Sequence, residues 1–322
     1  MNRITFGRSV LSAAATAAIA CKSAAAAAES YPDRPITMIV PWGAGGGSDQ
    51  MGRAAAKVLQ DELNVSVPVI DVPGANGNDG MLKLIEADAD GYTIAVFVGD
   101  TFVGNLLSAT PPAWTLKDIV PLAVMNRQPF AYYVAQNGAF KSWSDVEKAA
   151  RSRPFKVGLS GFGGAEDTVT KFFASKGFKF VGIPFPKPGE RYAAVLGGQV
   201  DMMCDPDGNV RRYVESGQFR AVMVFNATRV PQIPYAQTAK ELGYDVVLLE
   251  WRALVAKAGT SPERIRLLSD ALGRAYKSRD FQQFVKGSWS AADSYVPASD
   301  VSSFFTAQAK EIKTLVAATP RS

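Results

Sequence analysis

The sequence predicts an α/β protein of two lobes. Three observations carry that reading. Short runs rich in β-branched residues alternate with apolar residues at helical spacing. Glycine-rich loops follow three of the predicted strands. After Pro111-Pro112 the strand–helix unit starts again. The chain has 322 residues, enough for one large domain or two ordinary ones. Its 47% hydrophobic and 20% charged content is that of a folded globular chain, not a disordered one.

The run ITMIV at 36–40 is a strong first strand. Ser48 or Asp49 is placed to cap the next helix, whose apolar positions Met51, Ala55, Val58, Leu59 and Leu63 recur at helical intervals. A proline-interrupted strand at 67–71, a helix at 80–87 and a strand at 92–97 complete the first unit. Alternation of this kind argues for a mostly parallel sheet, and loops after neighbouring strands then meet at one sheet edge, where open α/β folds place ligands. The second unit reads as strands at 130–135, 155–159, 180–185, 200–205 and 220–225, with helices at 144–151, 166–176 and 189–196. A strand at 253–256, a helix opening at Ser261-Pro262-Glu263 and further amphipathic helices through Leu315 finish the chain. The C-terminal part is expected to complete the first lobe: residues 31–127 with 253–322 form lobe 1, and residues 128–252 form lobe 2.

Residues 1–28 read differently. Arg3 and Arg8 precede an apolar stretch from Val10 to Ala20, and an alanine run reaches Ala28 before Glu29. This is the layout of an export signal with small residues at its cleavage site. Cys21, in the sequence Ala18-Ile19-Ala20-Cys21, faintly resembles a lipidation site, so a lipid-anchored form is the variant of this expectation. Removing Arg3, Arg8 and Lys22 with the segment lowers the formal charge from +5 to +2. So small a charge, without a basic run interleaved with aromatics, gives no support for nucleic-acid binding. The chain has no histidine, which weakens metal sites and histidine-based catalysis. No cofactor is expected. Cys204 is the one cysteine in the body of the chain, and a buried thiol is its default role.

The loop VPWGAGGGSDQ at 40–50 is open to three readings. A Walker A loop fails because Gly47-Ser48-Asp49 stands where Gly-Lys-Ser/Thr is required, and a dinucleotide turn fails because its third glycine falls on Ser48. A purely structural turn needs the glycines only for positive φ. An anion nest uses the backbone N–H groups from Ala44 to Ser48 and the start of the next helix to receive a carboxylate. Asn76-Gly77-Asn78 and Gly163-Gly164-Ala165 offer the same geometry, and three such loops favour a small polar ligand gripped mainly by backbone. Bulky residues at Gly46 or Ala75 would then block the ligand and spare the fold.

The chain resembles the periplasmic substrate-binding proteins of bacterial tripartite tricarboxylate transporters, a group first noticed in Bordetella. The resemblance rests on Tyr31-Pro32-Asp33-Arg34-Pro35-Ile36, the stretch from Val40 to Asp49, Val72-Pro73-Gly74-Ala75-Asn76-Gly77, Asp90-Gly91-Tyr92-Thr93-Ile94, Leu196-Gly197-Gly198-Gln199-Val200-Asp201 and Gly259-Thr260-Ser261-Pro262, in that order. It implies a two-lobed periplasmic binding protein of type II, with a ligand cleft between the lobes. It further implies a monomer that delivers a small organic carboxylate to integral-membrane permease subunits. One carboxylate would lie against Trp42, Ala44, Gly45, Gly46, Ser48 and Asp49 and the second loop at Ala75, Asn76 and Asn78. The distal group would be read by lobe 2.

In lobe 2 the sequence departs from the family. An acid stands close to the position where the family often has histidine, in the stretch Ser160-Gly161-Phe162-Gly163-Gly164-Ala165-Glu166-Asp167. Asp100, Thr101, Phe162, Gly163, Gly164, Asp167 and Asp205 complete the candidate site. A ring of Asp100, Asp167, Asp205 or Glu250 would repel a distal carboxylate and suit a ligand with a donor, ammonium or amide at its far end. Singly, each acid also fits a helix cap or a surface charge, with Asp49 and Asp167 the best caps. Trp42, Phe162 and Trp251 suit either an apolar cleft wall or the core, and Arg127 and Arg252 are the basic residues placed near the hinge. An enzyme is disfavoured by the absence of histidine and of a G-x-S-x-G elbow. A receptor that presents its closed form to a sensor kinase is the alternative.

Overall fold

β1 (Thr37–Val40) pairs in parallel with both β2 (Val69–Asp71) and β3 (Thr93–Val98), where the sequence concentrates β-branched residues. The computed structural model describes residues 31–109 and 113–317; the expected export segment 1–28, Cys21 within it, and Pro111-Pro112 lie outside the described residues. α1 (Gly47–Leu63) follows β1 and buries Met51, Ala55, Val58 and Leu59, the positions its periodicity marks. α2 (Asn78–Glu86) follows β2, and α3 (Gly99–Leu107) follows β3 directly.

β4 (Ile119–Ala135) belongs to both halves of the sheet. From Ile119 to Pro129 it pairs antiparallel with β9 (Leu249–Lys257), which lies beside β3. From Phe130 onward it pairs with β7 (Met202–Pro206) and β8 (Phe219–Val224). β5 (Phe155–Leu159) and β6 (Phe180–Pro184) extend the second half in parallel, giving the order β2-β1-β3-β9-β4-β7-β5-β6. Short β10 (Val296–Pro297) pairs with β4 at Ala123 and Val124. The changeover falls at Pro129, which has no N–H to give to a ladder.

The remaining helices are α4 (Trp143–Ser152), α5 (Ala165–Ser175), α6 (Pro188–Leu196), α7 (Asp207–Glu215), α8 (Pro262–Lys277), α9 (Arg279–Gly287) and α10 (Ala298–Ala317). Leu268, Leu272 and Phe281 of α8 and α9 pack with Met51 and Leu59 of α1 and with Met38 and Val96 of the sheet. A second core runs from Phe97, Trp251 and Phe305 through β4 to Tyr132, Trp143 and Phe173. Trp251 stacks on Phe305, with ring centroids 4.9 Å apart. It is therefore a core residue and forms no cleft wall.

The sheet is mixed and not mostly parallel as expected, because β4 pairs antiparallel with β7, β8, β9 and β10, and β9 pairs antiparallel with β3. Individual elements differ from the sequence expectation as well. β4 begins eleven residues earlier than the strand expected at 130, because Pro121 sits where the register shifts and the bulge absorbs it. α3 and α7 are not among the helices expected from the sequence. Each opens with the turn-like pair Gly99-Asp100 or Asp207-Gly208, which here forms a first helical turn.

Candidate functional site

Two helices open towards each other's half of the sheet with the same local chemistry. The N-cap of α1 is Gly46 and that of α5 is Gly164, each preceded by a left-handed glycine, Gly45 (φ 79°) and Gly163 (φ 83°). Asp49 Oδ2 accepts the Gly45 N–H at 2.8 Å, and Asp167 Oδ2 accepts the Gly163 N–H at 2.8 Å. One turn on, Arg53 pairs with Asp49 at 2.6 Å and Lys171 with Asp167 at 2.7 Å. The expected N-cap role of Ser48, Asp49 and Asp167 is thus corrected. Glycines occupy the caps, and the two aspartates reach back from within the first turn.

The nests are also narrower than the glycine pattern implies. In the first loop the Gly45 N–H is taken by Asp49 and the Gly46 N–H by the Gly43 carbonyl at 3.3 Å. The donors left to a ligand are those at the start of α1, Gly47 and Ser48, which helix geometry leaves without an intrahelical partner. The second loop braces α3: Thr101 Oγ1 donates to the Asn76 carbonyl at 2.9 Å. In the same loop Asn78 Oδ1 accepts the Trp114 indole N–H at 2.8 Å. In the third loop the Ala165 N–H and the Ser160 hydroxyl both donate to Asp100, at 2.7 and 3.1 Å, and the Ser160 N–H donates to Glu166. The lobe 2 nest is therefore filled by a carboxylate of the protein itself. A Cβ on Gly164 would come within 2.7 Å of that carboxylate.

Between the two helix starts lies a cavity of about 70 Å³, walled by Trp42, Gly47 and Ser48 on one side and by Glu166, Arg191 and Asn209 on the other. Glu250 and Arg252 of β9 supply further walls. It adjoins a wider trough of about 850 Å³ that passes Ala44, Gly45, Tyr192 and Tyr213, and Gly46, Gly47, Pro188 and Asn209 line both.

A polar chain crosses the cavity wall. Arg252 donates to Gln128 Oε1 at 2.9 Å, to Ser48 Oγ at 3.3 Å and to Asn209 Oδ1 at 3.4 Å. Asn209 donates to Asp205 at 3.0 Å, and Asp205 is paired with Arg191 at 2.5 Å with both side chains buried. Phe185 contributes its carbonyl to Arg191 at 3.1 Å. Burial pushes the carboxyls of Asp100 and Glu166 above the usual range; for Asp100 the Ala165 and Ser160 donors oppose the shift. Burial likewise raises Glu250, to about 8, against the pull of the Arg252 charge. Arg252 itself is lowered by burial. Burial also works against the charge of Arg191, but Asp205 and Glu166 outweigh it and hold its pKa above the ordinary arginine value.

Of the residues singled out from sequence, Trp42, Gly46, Ser48, Asp100, Glu250 and Arg252 line the cavity, and Ala44 and Gly45 line the trough. Asn76, Asn78, Phe162 and Gly163 line a separate hollow of about 390 Å³ on the outer side of α3. Ala75 is exposed, with φ 45°. Thr101, Asp49, Asp167 and Asp205 are buried and spent on internal bonds. Arg127 is tied to Asp293. Arg191 and Asn209 were not singled out. For Asn209 the signal was the run Asp205-Pro206-Asp207-Gly208-Asn209, a strand followed at once by a helix start.

A two-lobed α/β fold with a strand shared between its halves and a polar cleft at opposed helix starts is that of the solute-binding proteins. The solved structures agree. MatC from Rhodopseudomonas palustris, determined with bound malate, superposes with TM-score 0.81 at 21% identity over 89% of this chain and 100% of that one. A second R. palustris protein, with adipate, gives TM-score 0.83 at 21% identity over 90% and 98%. The chain belongs to the tripartite tricarboxylate transporter family of receptors, whose family model matches residues 51–319. Protein BugT of Bordetella pertussis is 32% identical over 271 residues, 82% of each chain.

Proposed function

We propose that this protein is an exported receptor that binds a small organic carboxylate between its lobes and hands it to membrane permease subunits. The observation that carries the reading is the cavity, where the free first-turn donors of α1 and the Arg252 guanidinium meet residues from the other half of the fold. A ligand shifts an open–closed balance only through contacts that differ between the two states, and a cleft walled from both halves supplies them. The lobes are taken as 31–127 with 253–322, and 128–252. Within them, the first-turn donors of α1 at Gly47 and Ser48 hold the carboxylate, Trp42, Ala44, Gly45 and Gly46 shape the wall around it, and Asp100 stands at its far end. Thr101, Asp49, Gly164, Asp167 and Asp205 support those contacts from behind, while Asn76, Asn78, Phe162 and Gly163 line the separate hollow and exposed Ala75 lies in the same loop as Asn76. Malate and adipate, bound by the two R. palustris proteins, are consistent with an organic acid as ligand. Residues 1–28 act as the export signal to the periplasm, and the receptor works as a monomer. No helix of the described residues is long and apolar enough to cross a membrane.

A thermal-shift screen of residues 29–322 against mono-, di- and tricarboxylates, aromatic acids and amino acids tests the reading. Stabilisation by at least one carboxylate is expected. Indifference to every one of them would remove the proposal.

A further inference from the structure

We propose that the cleft selects an aminated monocarboxylate, an amino-acid-type zwitterion whose ammonium group is held by Glu250, while Asp100 closes the lobe 2 nest to any second carboxylate. The assignment rests on the receptor reading above and narrows its ligand class.

Glu250 carries the argument. It is 4% exposed, lines the cavity, and its Oε2 has no hydrogen-bond partner. A buried acceptor left in that state is costly, so it marks a place where a donor belongs. The indole N–H of Trp42, also lining the cavity, is likewise buried and without a partner. Trp42, the first turn of α1 and Arg252 form a donor-rich wall, and Glu250 supplies an acceptor. A ligand with a carboxylate and an ammonium satisfies both.

Charge points the same way. Around the cavity stand the carboxyls of Asp100 from α3, Glu166 from α5, Asp205 from β7 and Glu250 from β9, against the guanidinium groups of Arg191 from α6 and Arg252 from β9. A second ligand carboxylate would meet this set of four acids and gain no donor from it, whereas an ammonium beside Glu250 favours the charged form of that acid. The nest that could have received a distal carboxylate is occupied by Asp100, held by Ala165 and Ser160. The cavity, at about 70 Å³, is also compact. A cavity of roughly 150 Å³ holds benzene, so the enclosed part of the ligand is only a few heavy atoms, and any larger tail extends into the trough.

Binding then has a proton signature. Glu250, held up to about 8 by burial, carries a proton at neutral pH. An ammonium beside it favours the charged form, so a zwitterion entering at pH 7 displaces that proton to solvent.

Titration calorimetry of the protein as exported by its host tests the proposal. The panel sets glycine, alanine, serine and proline each beside its deaminated acid, with succinate and malate added, on the wild type and on Glu250→Gln. At least one amino acid is expected to bind about tenfold or more tighter than its deaminated partner. Glu250→Gln should cancel most of that advantage, so that the amino acid and its deaminated partner bind about equally. The wild-type heat at pH 7 should vary with the ionisation enthalpy of the buffer, reporting proton release even if the variant folds poorly. A dicarboxylate that outbinds every amino acid overturns the assignment, and so does a wild-type zwitterion complex with no proton release. Failure of all carboxylates to bind would instead reject the receptor reading, and this inference with it.

Discussion

Asp100 accepts the backbone N–H of Ala165 at 2.7 Å, so the acid that opens α3 beside the first half of the sheet caps the helix that packs on the second. Its other oxygen takes the Ser160 hydroxyl. Hydrogen bonds to a charged group contribute about 1.5–3 kcal/mol each. Both bonds tie the two halves of the fold together.

Replacing Asp100 with serine removes that hold. The closed-to-open ratio of the unliganded protein should fall roughly ten- to a hundredfold. Small-angle scattering should then show a larger radius of gyration for the variant, returning towards the wild-type value when ligand is added. Succinate or malate should raise the melting temperature of the variant more than that of the wild type. Unchanged scattering would mean that Asp100 does not act as a latch.

Gly47 is the tightest point of the first loop. A Cβ there would collide with Asn209 Oδ1 and Arg252 Nη2, whereas one on Gly46 would meet only the Gly43 carbonyl, at 3.2 Å. Gly47→Val is therefore the sharper block. It should weaken ligand binding by at least about tenfold while far-UV circular dichroism stays at the wild-type level. Normal affinity in this variant would show that the cavity can open there at no cost.

The pH dependence has a definite sign. Glu250 is raised from 4.5 to about 8, so between those values the folded state binds more protons than the unfolded state. Unliganded stability should then fall as pH rises from about 4.5 to 8 and level off above, by an amount on the order of a few kcal/mol. Asp100 and Glu166 are raised in the same direction and add to the slope. Urea unfolding at pH 6 and pH 8 measures the difference, and Glu250→Gln should flatten it. A wild type more stable at pH 8 than at pH 6 would contradict the account.

The Arg191–Asp205 pair is buried on both sides, at 3% and 0% side-chain exposure. Arg191→Met strands a charged carboxylate in the interior and should cost about 3–5 kcal/mol. The double variant with Asp205→Leu should regain much of that loss, because breaking a buried pair costs more than replacing it whole. Additive losses in a double-mutant cycle would show that the two residues do not act as a unit.

Much of this architecture was legible in the sequence. The helical spacing of Met51, Ala55, Val58 and Leu59 marked the buried face of α1, and the β-branched runs marked β1 and β3. The resemblance read from the first-lobe loops agreed with the family found. What escaped depends on three-dimensional context. Pro121 hid the start of β4, because a bulge that tolerates proline leaves no local mark. Asp49, Asp167 and Asp205 were recognisable as acids near the loops, but their consumption by Gly45, Gly163 and Arg191 is a matter of side-chain direction. Arg191 and Asn209 lie far in sequence from the first-lobe loops and reach the cavity only when the two halves face each other.

The course of β4 bears on how such a jaw is worked. Because one unbroken strand is shared, a pull on either half travels to the other along covalent bonds and arrives as torsion. At Pro129, where the strand changes partners, one ladder rung is already missing. Twisting there sacrifices little hydrogen bonding, and because the proline ring fixes φ at Pro129 the turn is taken up by the torsions on either side of it. The resting angle is then set by side chains at the lips, and a single substitution among them can retune the whole gape.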